Sequence, residues 1–359
     1  MIQQCDRFHS AGLSRGLDLL RVAREATRAE DGAVPETWIT HPWVAEGQRK
    51  IRFGVCTAWR DGAGDWPAYQ SFVQRVEALG FDSVWKPDHP MVWLDCWTVL
   101  AALAVTTTRI RLGSFVSCVA FRQPSLLARM SADVDRMSAG RLVLGLGIGD
   151  FLWEFEQFGL QCPNTRERQQ SLEETIRIVR GVADQAPLTY HGQHFWVTNA
   201  TLPLGPIQRP HQPLLIGGGG ERVTLRQVAQ YADMSNFGEH AYTGGAHSVT
   251  DVRRKLKVLD RHCDALSRPP ESLLRSHITY PLILGETRAR VQARIDAIPS
   301  TTKSYIETSL VAGTPADVVA YYRALATVGI QYFIPTLLGS DEETLELLAD
   351  RVVPAVVTP

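Results

Sequence analysis

Hydrophobic and polar positions alternate in two rhythms along most of this chain. Short apolar runs with β character recur at Ile51 to Thr57, Asp82 to Lys86, Ile110 to Ser117 and Arg141 to Gly147. Stretches with helical spacing separate them: Pro67 to Leu79, stopped by Gly80; Asp95 to Val105; Pro124 to Met137, with Pro in its first turn; and Arg166 to Val182. The rhythm returns with a strand at Leu214 to Ile216, a helix from Arg222 to Tyr231 and a strand at Asp233 to Phe237. A helix from Val249 to Leu266 then precedes a strand from His277 to Leu284, and one from Pro315 to Val328 precedes a strand from Ile330 to Pro335. Glu342 to Val352 reads as a closing helix. Alternating strands and helices predict a parallel sheet, and near-continuous apolar strands predict one covered on both faces. The count of about eight strands suits a closed (β/α)8 TIM barrel. An open doubly wound sheet is the alternative, but no GxGxxG turn follows the first strand.

Some segments break the rhythm. Residues 1–50 form an N-terminal extension ahead of a barrel domain at 51–359; within it Leu13 to Arg28 has amphipathic helical spacing and Gly32 to Gln48 reads as irregular. Leu188 to Val197 reads as a hairpin turning near Gly192, and Thr201 to Pro213 carries four prolines and no period. Both are insertion segments of the kind that sit in barrel loops. Gly238 to His247, with Gly244 and Gly245, is a candidate lid.

Composition narrows the class. A chain of 359 residues with 45% hydrophobic and 21% charged positions buries a large core. Its formal net charge of −1 offers no broad basic field for nucleic acid or an anionic membrane. No apolar run is long enough to span a bilayer, and Met1 to Ser10 lacks the basic start and apolar centre of a secretory signal. Cys5, Cys56, Cys96, Cys118, Cys162 and Cys263 are scattered, without CxxC or zinc-type spacing. Reduced thiols in a cytoplasmic protein, and no metal, are the expectation.

In a barrel of this kind chemistry collects where strands end and loops begin. After the second strand stands Lys86-Pro87-Asp88-His89-Pro90, with Trp93 beyond it. His89 suits proton transfer near neutral pH, and Asp88 either orients it or anchors the loop; a purely structural Asp–His pair weighs about evenly. Gly145-Leu146-Gly147-Ile148-Gly149-Asp150 follows the fourth strand, placing a carboxyl group at the same mouth, with Glu154 one helical turn on. Its glycines admit a flat ligand close to the backbone, or simply make a turn that Asp150 caps. The run Gly217-Gly218-Gly219-Gly220-Glu221 precedes a helix, the context a phosphate site requires. Thr314-Pro315 reads as a helix cap instead, and packing accounts for two of the clustered Trp85, Trp93 and Trp97. Arg122, Arg168 and His240 are anion-contact candidates for which salt bridges are the simpler account. Within the barrel domain there is no GxSxG nucleophile elbow, no HExxH and no Walker lysine motif.

Taken together, Asp88-His89, Arg109 to Gly113, Phe121 to Pro124, Ser138 to Gly149, Leu172 to Glu174, and Leu215 to Glu221 with Tyr231-Ala232-Asp233 resemble the luciferase-like flavin- and F420-dependent oxidoreductases. The match spans roughly Ile51 to Asn236. It implies a barrel with a deazaflavin or flavin ring in its mouth and a bulged, often cis, peptide behind the ring at Phe115 and Val116. It implies further that Cys118, Gly147, Gly149, Asp150 and Gly217 to Gly220 line the cofactor, coenzyme F420 or alternatively FMN. His89, Asp88, Trp93 and Asp150 stand at the catalytic positions, where relatives usually carry Glu in place of Asp150. The activity implied is F420-dependent hydride transfer to or from a small organic substrate. The alternatives are a reduced-FMN monooxygenase and a non-catalytic flavin-binding barrel. By resemblance the partner is a second copy, giving a homodimer.

Overall fold

The computed structural model describes residues 38–57, 65–92, 94–184 and 186–358. A compact unit that contains the barrel runs from Ile39 to Pro359. The strands, in chain order, are β1 Arg52–Thr57, β2 Ser83–Lys86, β3 Arg111–Ser114, β4 Ser117–Cys118, β5 Leu142–Gly147, β6 Leu188–His191 and β7 Trp196–Ala200. They continue with β8 Leu214–Gly217, β9 Met234–Gly238, β10 Leu274–Thr279, β11 Leu282–Leu284, β12 Val311–Gly313 and β13 Tyr332–Leu337. The main sheet runs β3-β2-β1-β13-β10-β9-β8-β5-β4, and β3 also pairs with β5, which closes it. Because β3 and β4 are two halves of one barrel position, the result is a closed eight-stranded parallel barrel.

Capping chemistry explains where the surrounding helices start. Asp95 accepts the Thr98 amide at 2.8 Å to open the helix Cys96–Thr106. Asn164 with Glu167, and Thr314 with Asp317, form reciprocal capping boxes for Thr165–Ala183 and Pro315–Thr327. One apolar layer fills the space between sheet and helices. A second fills the barrel interior, where Trp85, Val143, Leu215, Met234 and Tyr332 meet. The helix Pro42–Gly47, within the stretch read as irregular, plugs the barrel at the strand N-termini. Trp43 is 2% exposed there, edge-on to Tyr332, with the Arg111 guanidinium 5.1 Å from its ring. The amphipathic helix expected at Leu13 to Arg28 lies outside the described residues.

The structure divides two strands that the sequence pattern runs together. Ile110 to Ser117 is interrupted by a cis peptide between Phe115 and Val116, the position that the resemblance picks out for a bulge. His277 to Leu284 is interrupted at Tyr280–Pro281; proline has no N–H to continue the ladder, so β10 stays in the barrel and β11 leaves to pair with β12. Two further helices, Arg288–Asp296 and Ser300–Ile306, escape a periodicity reading because each buries a single residue, Val291 or Ile306. The hairpin β6–β7 forms as read.

Candidate active site

The C-terminal ends of the barrel strands open into a cavity of about 920 Å³. His89 and Asp88 after β2, Asp150 after β5 and the glycine tract after β8 all line it. The two ends of the proposed ligand site, His89 and Gly217 to Gly220, therefore share one cavity. Trp93 lies outside the described residues.

At one end sits a proton-handling group. His89 Nδ1 is 2.7 Å from Glu154 Oε2, and its Nε2 is 3.5 Å from Asp150 Oδ1. Glu154 comes from the short helix Leu152–Gln157 after β5, so the pair joins loops of two different strands. The Glu154 side chain is 1% exposed, and its second oxygen takes the Met91 amide at 3.3 Å, which holds the loop carrying His89. Phe151 lies against the other side of the imidazole, ring centres 4.2 Å apart. Burial disfavours the imidazolium, but the Glu154 hydrogen bond and the charges of Asp150, Glu154 and Asp88 outweigh it. The pKa of His89 is thus raised above its ordinary 6.5. Sequence reasoning had placed Glu154 near the mouth without seeing it as the partner. The available signal was its place four residues after Asp150, in the first turn of the helix that follows β5.

Asp88 does not orient His89. Its carboxylate is wholly buried and accepts Ser117 Oγ at 3.0 Å, the Cys118 amide at 3.1 Å and both terminal nitrogens of Arg122. Arg122 reaches on to Asp95 at 2.8 Å. The cluster ties the end of β2 to β4 and to the start of the helix Cys96–Thr106, so the anchoring alternative describes Asp88, and Arg122 is a structural cation. Trp85 and Trp97 are buried in packing, with Trp97 Nε1 donating to Ser117 Oγ at 3.0 Å.

The cavity floor is made by Phe115, Val116 and Cys118. Burial pushes the Cys118 thiol up to about 12, so it is a neutral wall atom near neutral pH. The glycines at the end of β5 have a packing reason. A Cβ on Gly147 would lie 2.4 Å from Val116 Cγ2, and one on Gly149, at φ +80°, would lie 2.7 Å from Cys118 Sγ. These glycines make room for the floor itself.

At the far end, Gly217 to Gly220 run into the helix Thr224–Tyr231, which has no side-chain cap on its first turn. Gly218 takes φ +116°, a conformation that favours glycine. Lys255 is buried beside this tract; its Nζ donates to the Gly219 carbonyl at 2.8 Å, and Glu221 is 4.0 Å away. Burial, followed by the charge of Arg254, lowers the Lys255 pKa. Arg168 also lines the cavity but is held by the carbonyls of Ile148 and Gly149 at 3.0 and 2.6 Å. The lid candidate borders the cavity from Ala241 to Gly244, with His240 capping its short 3-10 turn. No group of acidic, His and Cys side chains suited to a metal ion occurs among the described residues.

A family model described as luciferase-like monooxygenase matches residues 51–306. The chain is 25% identical over 316 residues to an F420-dependent glucose-6-phosphate dehydrogenase of Amycolatopsis mediterranei, covering 79% of this chain and 92% of that protein. A protein of the same description from Kineococcus radiotolerans is 31% identical, over 76% of this chain and 87% of its own length. Among solved structures, the F420-dependent tetrahydromethanopterin reductase of Methanopyrus kandleri superposes with a TM-score of 0.70 at 19% identity, covering 85% and 99% of the two chains. An EDTA monooxygenase from Chelativorans superposes with a TM-score of 0.72 at 17% identity, covering 87% and 95%. At such identities the structural likeness carries the fold alone.

Proposed function

Because the chain belongs to the luciferase-like monooxygenase family, we propose that it is an oxidoreductase dependent on coenzyme F420. It moves a hydride to or from a small organic substrate. Two curated relatives that cover most of this chain are F420-dependent enzymes, which favours the deazaflavin over FMN. The observation that carries the reading is the pairing of His89 with buried Glu154 at the edge of a cavity whose opposite end is a glycine tract with a buried cation.

The residues present fit such a cofactor. Lys255 is a buried cation whose neighbours are a neutral carbonyl and a carboxylate at 4.0 Å, an arrangement that an anionic tail would complete. Amides of Gly219 and Gly220, ahead of the N-terminus of Thr224–Tyr231, supply further donors for phosphate. Phe115, Val116 and Cys118 offer an apolar floor for the ring. When bound, F420 supplies a two-electron hydride donor or acceptor.

The protein's part is the proton. With Nδ1 engaged by Glu154, the ring nitrogen on the cavity side is Nε2. Protonated His89 donates from Nε2 to a substrate oxygen that gains negative charge, and in the reverse direction takes that proton back. Asp150 steadies the charge, and Glu154 positions the ring.

Titrating the unloaded protein with F420 and with FMN tests the cofactor. Binding of F420 with little FMN binding is expected; tight FMN with no F420 refutes it and points to a reduced-FMN monooxygenase. Replacing His89 with Ala should leave F420 binding near normal and slow turnover by about 10²–10⁴-fold. Full turnover in that variant removes His89 from the chemistry, and no redox turnover in the native protein revives the non-catalytic barrel. A homodimer is the assembly we propose by family resemblance, to be checked by light scattering.

A further inference from the structure

A second cavity of about 750 Å³ opens beside the first and shares Asp150, Phe151, Leu152 and Tyr242 with it. Building on the oxidoreductase reading, we propose that this outer cavity receives a neutral, flat, apolar substrate, an aryl-bearing ketone or the matching secondary alcohol, and not a sugar phosphate.

Its walls are aromatic. Phe151 and Trp153 are stacked at 5.8 Å with planes 25° apart, and Tyr242 and Tyr305 stand edge-on to Phe151. Met91, Trp153 and Tyr242 are 43%, 44% and 56% exposed, a concentration of apolar surface that an apolar ligand would cover. The same Phe151 packs on His89, so the aromatic wall leads from the proton donor straight into the outer cavity. A carbonyl group near His89 with its aryl group between Trp153 and Tyr305 uses both features.

Charge argues against a phosphorylated substrate. Among the described residues lining this cavity, Asp150 is the single charged group, and its carboxylate repels a phosphate. The Thr301 and Thr302 hydroxyls are neutral, and neighbouring Lys303 turns to Asp296 at 4.0 Å. The cations of the larger cavity, Arg168, Arg222 and Lys255, line that cavity alone and none of them reaches the outer one.

Binding of 4-phenylbutan-2-one, acetone and glucose 6-phosphate, followed by saturation-transfer NMR and calorimetry with and without F420, tests the assignment. The aryl ketone should bind at least about tenfold tighter than acetone, since a phenyl ring buries far more apolar area. Glucose 6-phosphate should not bind. Trp153→Ala and Tyr305→Ala should each weaken the aryl ketone about tenfold while the F420 titration moves less. Glucose 6-phosphate binding, equal affinity for the two ketones, or indifference to both substitutions overturns the proposal. If F420 fails to bind but the ketone pattern holds, the cofactor reading falls and the cavity assignment stands.

Discussion

Replacing Glu154 with Gln probes the site most directly, because it removes one charge and keeps the shape. The pair sits at 2.7 Å with side chains 17% and 1% exposed, so water screens it weakly. Two unit charges about 4 Å apart interact by about 4 kcal/mol at an effective dielectric of about 20. A Gln oxygen in the same place retains a hydrogen bond worth about 1 kcal/mol. The remaining difference, about 3 kcal/mol, favours the imidazolium in the native protein. Its sign follows from the raised His89 pKa. The charge interaction is present below the ordinary 6.5 and is lost as pH rises through the raised value. In the Gln variant, burial still opposes protonation while Asp150, at 3.5 Å, still favours it, so the titration moves down. Two assays read this out: NMR titration of the His89 ring in the unloaded protein, and the pH profile of kcat/KM for ketone reduction. Both should move to lower pH by about the same amount. An unchanged or rising imidazole titration would refute the view that Glu154 holds the proton on His89.

Other perturbations test the scaffold. Arg122→Ala leaves the Asp88 carboxylate buried with only Ser117 and Cys118 as donors, and urea denaturation should show a loss of about 3–5 kcal/mol; a loss below about 1 kcal/mol contradicts the anchoring role. Gly147→Ala places a methyl 2.4 Å from Val116 Cγ2 and should cost about 1–3 kcal/mol, partly restored by adding Val116→Ala. Simple additivity of the two changes would show that they do not meet. Burial raises the Glu239 carboxyl to about 8, so the folded protein retains a proton there that the unfolded chain releases above about 4.5. Stability should therefore fall between these values, by at most about 1.4 kcal/mol per pH unit from this group, and Glu239→Gln should flatten the slope. An identical slope in both proteins, measured by thermal unfolding, rules this out.

The barrel was legible because its signals are local. The apolar runs and capped helices from Ile51 to Val182 lie within two residues of the observed elements, and strand ends alone brought His89, Asp150 and the Gly217 tract to one rim. Long-range pairing was not legible. The partner of Asp88 is Arg122, and that of His89 is Glu154, 65 positions away, a contact that only barrel closure creates. Gly147 and Gly149 looked like ligand clearance, whereas their neighbours Val116 and Cys118 come from another strand. The short helix Pro42–Gly47 was missed because six residues, under two turns, give too little period to detect, and its burial depends on Trp43 finding the barrel base.

The placement of His89 and Glu154 on loops of separate strands makes the strength of this acid a gauge of rim integrity. Each half of the pair has its own route of escape, and the short helix Leu152–Gln157, a turn and a half long, is the easier one to release. Fraying there would return the imidazole toward its solution acidity while the strands beneath stayed folded. Proton delivery would then fade before the protein unfolds, so heat inactivation should precede loss of the barrel.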